Sequence, residues 1–166
     1  MLTMSLFAGN VFKRGDISLG VIAGSGNISY KNTTSSISKD YFIVGANVDY
    51  FVYDNLSVGL DIRGWIGEEP NFMQYTLPVT YYIYTRYRIY PYIGAFYRYN
   101  AYSDSSFTTD NGYNKFKVED YSSLGARTGF IYKVDFGYVG FGWTFERDIK
   151  HQANNDYPEF ILGFVF

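Results

Sequence analysis

The sequence predicts an all-β fold, an eight-stranded antiparallel up-and-down transmembrane β-barrel. Three observations support this prediction. Apolar side chains recur at every second position in segment after segment, as in strands with one apolar face. The connections between these segments are alternately short and long. The composition, with 19 Tyr, 15 Phe and 17 Gly among 166 residues, is rich in residues that favour strands or disfavour helices.

The composition also excludes several classes of protein. Charged residues make up 18% of the chain and the net charge is -2, which gives no basis for a nucleic-acid partner. The count of zero cysteines excludes disulfides, thiolate metal sites and cysteine nucleophiles. The longest apolar runs fall far short of the ~18 residues that a membrane helix needs, so no transmembrane helix is predicted.

Alternation bounded by turn residues predicts eight strands. They lie near 17–28, 41–53, 56–66, 75–86, 90–102, 122–133, 137–149 and 157–166. Tight turns are predicted at 53–55, 87–89 and 134–136, and longer polar segments at 29–40, 67–74, 103–121 and 150–156. The short turns and the long loops fall on opposite ends of the barrel, and the even strand number places both termini on the turn side.

Residues 1–16 are predicted to be an N-terminal segment, and residues 17–166 the barrel domain. The apolar stretch Leu2–Ala8 resembles the tail of a signal-peptide apolar region, which would start the mature protein near Gly9. The alternative is an ordinary N-terminal segment that lies in or below the barrel.

The two faces of the predicted strands differ in chemistry. The apolar face carries Phe42, Val44, Ala46, Val48, Tyr50, Val52, Leu56, Val58, Leu60, Ile62, Val139, Phe141, Trp143 and Phe145. The opposite face carries Ser18, Gly20, Gly24, Gly45, Asn47, Ser57, Gly59, Thr80, Gly94, Gly125, Gly129, Gly140, Gly142 and Gly163. A soluble lipocalin-like barrel would instead place many Lys and Glu outside. The apolar face is therefore predicted to contact lipid and the small residues to line a narrow interior.

Two further features belong to this assignment. The first strand changes phase near Asn27, where Ile28 and Tyr30 become the apolar positions, which predicts a bulge or the end of the membrane span. Tyrosines near strand ends or on the apolar face are predicted to lie at the headgroup level, with a stacking surface for sugars or bases as the alternative. They are Tyr41, Tyr50, Tyr53, Tyr75, Tyr81, Tyr97, Tyr99, Tyr132 and Tyr138.

The charges predicted to face the interior are balanced, four acids and four bases. They are Asp49, Asp61, Arg63, Arg98, Arg127, Lys133, Glu146 and Glu159. Because an unpaired buried ion is costly, we expect them to form ion pairs that plug the barrel, with Arg127 and Glu146 as one pair. The alternative is a path for ions or small solutes, which eight strands seldom leave room for.

The closing strand resembles the assembly signal of bacterial outer-membrane β-barrels, with Phe160, Leu162, Phe164 and a final Phe166 on its apolar face. The segments Leu77–Tyr82, Tyr90–Phe96, Leu124–Phe130 and Phe12–Gly15 resemble the small outer-membrane barrel superfamily of the OmpA, OmpX, OmpW and opacity-protein type. The resemblance implies an integral protein of the Gram-negative outer membrane with periplasmic termini, lipopolysaccharide as surrounding lipid, and insertion by the barrel assembly machinery. It leaves function open, because that superfamily includes adhesins, membrane stabilisers, porin-like channels and a few lipid A enzymes.

His151 is the only histidine and lies in the last long loop. The segment is loosely similar to PagL-like lipid A deacylases, in which a histidine precedes a serine by two residues, with Asn and Glu further along. Asn154 and Glu159 match this pattern, but Ala153 occupies the nucleophile position, so His151 is only a weak catalytic candidate. No motif predicts a metal site or a cofactor.

The sequence therefore favours a non-enzymatic barrel, monomeric, whose closed body is an anchor and whose external loops, chiefly 103–121, meet a surface ligand at the cell surface. A narrow channel for small or apolar solutes is the second hypothesis. A lipid A deacylase is the third.

Overall fold

The computed structural model describes residues 11–31, 36–67, 69–103, 106–108, 115–150 and 154–166. The strands are β1 Ile17–Lys31, β2 Ser36–Tyr53, β3 Leu56–Gly67, β4 Phe72–Tyr82, β5 Ile89–Tyr102, β6 Ser106–Thr108, β7 Lys115–Lys117, β8 Tyr121–Val134, β9 Gly137–Asp148 and β10 Asn154–Val165. Eight long antiparallel strands close into a barrel in the order β1-β10-β9-β8-β5-β4-β3-β2, and the two short strands β6 and β7 form a separate hairpin. This confirms the predicted fold class.

Three of the predicted connections are wrong in length, and the one predicted at 67–74 is shorter because β4 already begins at Phe72. Residues 29–40 were expected to form a long loop, but β1 and β2 stay paired as far as Lys31 and Ser36. The tight turn expected at 87–89 is instead a wider connection over 83–88. The hydroxyl of Thr85 donates to the Ile89 carbonyl at 2.6 Å, so this side chain takes over the bonding that a regular ladder would provide.

Of the two explanations predicted for the phase change near Asn27, a bulge or the end of the membrane span, the bulge is wrong. The register between β1 and β2 runs without a break from Ile17–Tyr50 to Lys31–Ser36. Ile28 lies on the inner face and is 7% exposed, while the side chain of Tyr30 lies outside the described residues. The residue types change because the interior is apolar at that level. The irregularity is found elsewhere, between Phe51 and Tyr53 on β2.

The outer face forms the predicted apolar belt. On β2 the outward positions run over nine residues from Phe42 to Tyr50. At about 3.3 Å per residue and a tilt of ~40° this covers ~23 Å, close to the hydrocarbon thickness that such barrels match. Beyond the belt, toward the long loops, the side-chain amide of Asn27 donates a hydrogen bond to the Asp40 carboxylate at 2.7 Å. Among the described residues no helix is long and apolar enough to cross a membrane.

Two of the tyrosines predicted at the headgroup level lie in the interior instead. Tyr41 is 3% exposed and Tyr138 is 2% exposed. The hydroxyl of Tyr138 lies 2.8 Å from that of Ser18, inside the barrel. The others point outward as predicted, with Tyr81 half-buried and the remainder exposed: Tyr50, Tyr53, Tyr75, Tyr97, Tyr99 and Tyr132. Side chains alternate between the two faces along each strand, so the position of a tyrosine in this alternation decides which face it occupies, more than its residue type does.

Candidate functional site: the barrel interior

The interior is organised as three layers along the barrel. The turn-end layer, near the short turns and the termini, consists of Val11, Phe12, Phe51, Tyr82, Tyr92, Ile131 and Tyr138. The loop-end layer, toward the long loops, consists of Ile28, Tyr41, Ile43, Trp65, Phe72 and Tyr157. Between them lies the charge layer, which holds buried arginines and carboxylates. The sequence prediction of a small-residue interior missed both apolar layers.

One half of the charge layer is centred on Arg63 of β3. Its guanidinium donates to Glu159 of β10 at 2.6 Å and to Asp61 at 2.9 Å. Arg127 of β8 reaches the same Asp61 oxygen at 3.2 Å and donates to the hydroxyl of Thr80 at 2.6 Å. Four of the predicted interior charges therefore form one connected network across three strands, and all four are 4% exposed or less.

The other half is centred on Arg98 of β5. Its guanidinium donates to Glu146 at 2.5 Å, to the hydroxyl of Tyr157, and through Nε to Thr76 at 2.8 Å. The second oxygen of Glu146 accepts from Ser123 at 2.5 Å and from Asn100 at 3.2 Å. A carboxylate with this many donors is well compensated despite its burial.

The predicted Arg127–Glu146 pair is wrong. In the register of β8 and β9, Arg127 lies opposite Thr144, and Glu146 lies opposite Gly125, nearer the loop end. Arg127 bonds instead to Thr80 and Asp61. Glu146 pairs with Arg98 instead. The ion-pair partner of Glu146 was therefore not determined by which strands are neighbours.

The last two predicted interior charges lie apart from these clusters. Asp49 is 1% exposed and is bound by neutral groups, the amide of Asn47 at 2.7 Å and the hydroxyl of Ser57 at 3.5 Å. Lys133 is only half-buried at the turn end, where its ammonium donates to the Val11 carbonyl. The sequence predicted that all eight charges form ion pairs; six of them do so in the two clusters, and Asp49 and Lys133 lie outside these clusters.

Several polar residues of the interior were not predicted. Gln74 and Asn100 bond to each other at 2.8 Å, and Thr144 donates to Glu159 at 3.1 Å. The signal for them was available, because on β4 the polar Gln74 and Thr76 alternate with outward Met73, Tyr75 and Leu77. Asp148 and Lys39 are also buried and were missed.

Glycines allow large side chains to cross the narrow interior. At Gly142 an added Cβ would lie 1.9 Å from the Tyr92 hydroxyl, and at Gly59 it would lie 2.2 Å from an Asp49 oxygen. Both distances are far inside van der Waals contact, so these side chains occupy the space that any larger residue would need. The glycine-rich inner face is therefore part of the packing of the interior.

Four charged side chains of this site keep a polar atom without a protein partner among the described residues. They are Asp61, Arg63, Arg98 and Glu159. Buried atoms of this kind are ordinarily satisfied by ordered water. Within the described residues no three His, Asp or Glu side chains come together as a metal site.

Comparisons with known proteins bear on the fold. No family model matches the chain, and no curated protein matches it. The N-terminal β-barrel domain of OprF from Pseudomonas aeruginosa superposes with a TM-score of 0.64 at 14% identity, covering 90% of this chain and 97% of that one. Neisserial surface protein A gives 0.60 at 18% identity, with 91% and 96% covered. The chain shares the fold of small outer-membrane β-barrels.

A third solved structure of the same kind is the outer membrane protein OprG from Pseudomonas aeruginosa, with a TM-score of 0.58 at 15% identity, covering 93% of this chain and 97% of that one. The resemblance to small outer-membrane barrels is thereby confirmed at the level of fold. The barrel carries its apolar belt outside and its charge layer inside, as expected of a membrane β-barrel.

Only part of the loose deacylase pattern lies within the described residues. His151 and Ala153 lie outside the described residues. Asn154 is exposed at the start of β10, whereas Glu159 is fully buried and bound to Arg63 and Thr144. The two residues that loosely matched a deacylase pattern therefore lie on different sides of the barrel wall.

At the loop end one ion cluster ties a loop to the barrel. Lys117 donates to Glu119 at 2.7 Å and Lys150 donates to the other oxygen at 2.9 Å. These two bonds lower the pKa of the Glu119 carboxyl to about 2. The cluster joins the segment after β7 to the end of β9.

Proposed function

We propose that this protein is an integral barrel of the Gram-negative outer membrane whose closed body is a rigid anchor and whose external loops carry a non-enzymatic surface interaction. The observation that carries the proposal is the combination of an apolar outer belt with an interior filled by ion pairs between two apolar layers. Such a body can span lipid without providing a path through it.

The interior network argues for a closed state. Opening the centre would require Arg63 to leave Glu159 and Asp61, or Arg98 to leave Glu146. A buried ion that loses its partner costs several kcal/mol, about 3–5 in measured cases. Eight strands also enclose a space that side chains just fill. A closed anchor is therefore compatible with the structure as it stands, whereas a conducting channel would require these ion pairs to break.

The loops are the proposed site of interaction. The segment between β5 and β8 contains the β6–β7 hairpin and is tied to β9 by Glu119. We assign lipopolysaccharide and an external surface ligand to the loop end, and periplasmic termini to the turn end. Insertion by the assembly machinery would use Phe160, Leu162, Phe164 and Phe166, whose outward positions suit a lipid-facing signal. A monomer suffices for all of this.

Planar-bilayer recording of the refolded protein tests the closed body. We expect no steady single-channel steps, together with heat-modifiable migration on gels that reports a folded barrel. Stable steps whose size changes in Arg98→Ala or Glu146→Ala would contradict the plug.

A narrow channel for small or apolar solutes is the second candidate, and one observation favours it. Asp61, Arg63, Arg98 and Glu159 each keep a polar atom without a protein partner among the described residues, and ordered water in the charge layer would satisfy these atoms. Conductance that depends on Arg98 would support the channel.

Deacylase activity is tested by incubation of the protein with lipopolysaccharide followed by mass analysis. Loss of an acyl chain that requires His151 would contradict both the anchor and the channel as the main function.

A further inference from the structure

Two residues of the turn-end layer come from outside the barrel strands. Val11 and Phe12 precede β1, yet they are 2% and 1% exposed. The Phe12 ring stacks on Phe51 with centroids 4.4 Å apart and meets the edges of Tyr82 at 4.8 Å and Tyr138 at 5.8 Å. We call these three rings, from β2, β4 and β9, the aromatic socket.

Every backbone polar group of this dipeptide is bonded. The Asn55 side-chain oxygen accepts from the Val11 N–H at 2.7 Å and from the Phe12 N–H at 3.1 Å. The Asn55 N–H donates to the Phe12 carbonyl at 3.1 Å. The Val11 carbonyl accepts from the ammonium of Lys133, which also lies 4.9 Å from the Phe12 ring centroid. The barrel therefore supplies a hydrogen-bond partner for every backbone polar group of this dipeptide.

Asn55 is placed for this role by its backbone. It lies in the β2–β3 turn with φ of 64°, a conformation that Asn tolerates better than most residues. Its carbonyl accepts from the Tyr82 N–H at 2.8 Å, which fixes the turn against β4. The backbone of Asn55 is therefore bonded both to β4 and to the dipeptide, and its side chain is bonded to the dipeptide.

The chain between the dipeptide and β1 folds back sharply. The Arg14 N–H donates to Asp54 at 2.8 Å, and the Gly15 N–H donates to the Phe51 carbonyl at 2.9 Å. Gly15 has a φ of 95°, which residues with a Cβ rarely adopt. This reversal brings the segment under the barrel instead of letting it continue away from β1.

We propose that the turn end of the barrel is a binding site for a short peptide segment that carries an aromatic side chain, and that Val11–Phe12 is its resident ligand. The aromatic socket binds the ring, and Asn55 and Lys133 form hydrogen bonds with the backbone of the segment. Binding of the segment closes the barrel interior at the turn end. The proposal concerns the turn end alone and does not depend on the function of the loops.

The chain has no cysteine, so single-cysteine variants report local access directly. The experiment measures labelling of Val11→Cys by a polar maleimide in the folded barrel in detergent micelles, with Lys13→Cys as the exposed reference. Ile28→Cys, in the loop-end layer, is the control for general loosening. Only the fast-migrating folded form on an unheated gel is scored.

The decisive background is Asn55→Gly, because glycine keeps the positive φ of the turn and removes only the side-chain acceptor. Asn55→Asp keeps an acceptor. We expect Val11→Cys to label slowly in the native and Asp backgrounds and at least about tenfold faster with Gly, the factor expected from lost hydrogen bonds of ordinary strength. Ile28→Cys should stay protected in all three.

Two results would overturn the proposal. One is labelling of Val11→Cys as fast as Lys13→Cys in the native background. The other is an Asn55→Gly rate equal to the native rate. Phe12→Ala is a second test that leaves the turn untouched: it should speed trypsin cleavage after Lys13 and Arg14 in the folded barrel, and an unchanged cleavage rate would count against the socket.

Discussion

Replacement of Arg98 by Met should destabilise the barrel strongly, because it leaves a buried carboxylate without its cation. The side chains of Arg98 and Glu146 are 0% and 1% exposed, and their charged atoms lie 2.5 Å apart. Removal of one partner of such a pair costs about 3–5 kcal/mol, and the smaller apolar Met adds no compensating charge. Ser123 and Asn100 still donate to Glu146, so we expect the lower part of that range.

The assay is urea unfolding of the refolded barrel in lipid vesicles, followed by Trp fluorescence and by gel mobility. Glu146→Gln and the double variant complete a thermodynamic cycle, in which the double variant should recover part of the loss. The control is Lys117→Met at the exposed Lys117–Glu119 pair, whose side chains are 76% and 45% exposed. That change should leave stability unaltered. A loss below about 1 kcal/mol for Arg98→Met, or strict additivity in the cycle, would refute a coupled buried pair.

Three further changes test the belt, the interior packing and the closing strand. Leu60→Arg, on the outward face of β3, should cost ~2–4 kcal/mol in vesicle unfolding, as midplane charges do, and tolerance would argue against a lipid-facing belt. Gly142→Ala should cost ~1–3 kcal/mol because its Cβ would lie 1.9 Å from the Tyr92 hydroxyl. Gly64→Ala, with Met73 sulfur at 3.5 Å, is its neutral control. Deletion of Phe166 should lower the yield of inserted, heat-modifiable protein in cells, and normal yield would contradict its role as an assembly signal.

The fold could be predicted from the sequence because a membrane barrel imposes one rule on every strand. Alternation with period two fixed which side chains point outward, and Phe42, Val44 and Val48 are exposed as expected. The same rule explains the correct placement of Glu159 in the interior. Strand ends were predicted less well, since Thr85 and the long β1–β2 pairing act through local bonds that alternation does not record.

The interior was only partly predictable. The alternation correctly assigned eight charged residues to the inner face but missed Lys39 and Asp148, and partner choice depends on how far each side chain extends along the barrel. Arg127 and Glu146 lie on neighbouring strands and still bond to other residues. The apolar layers were missed because Tyr41 and Tyr138 were assigned by residue type. Tyr41 and Gly45 are separated by an even number of positions on β2, as are Tyr138 and Gly140 on β9, so the alternation places both tyrosines on the inner face with these glycines.

The bond between Arg63 and Glu159 joins residues 96 positions apart, from the third strand to the last. Tyr157, on the same last strand, completes the surroundings of Arg98. A chain with the first seven barrel strands in place would therefore hold Arg63 paired with Asp61 alone, and Arg98 paired with Glu146 but without the Tyr157 hydroxyl. Docking of the final strand supplies the Glu159 carboxylate and the Tyr157 hydroxyl at once, so completion of the interior hydrogen bonds and closure of the barrel coincide. An arrested seven-strand intermediate would leave Arg63 without its second carboxylate in a low-dielectric interior, so pairing of the last strand removes an electrostatic penalty as well as the open edges of the sheet.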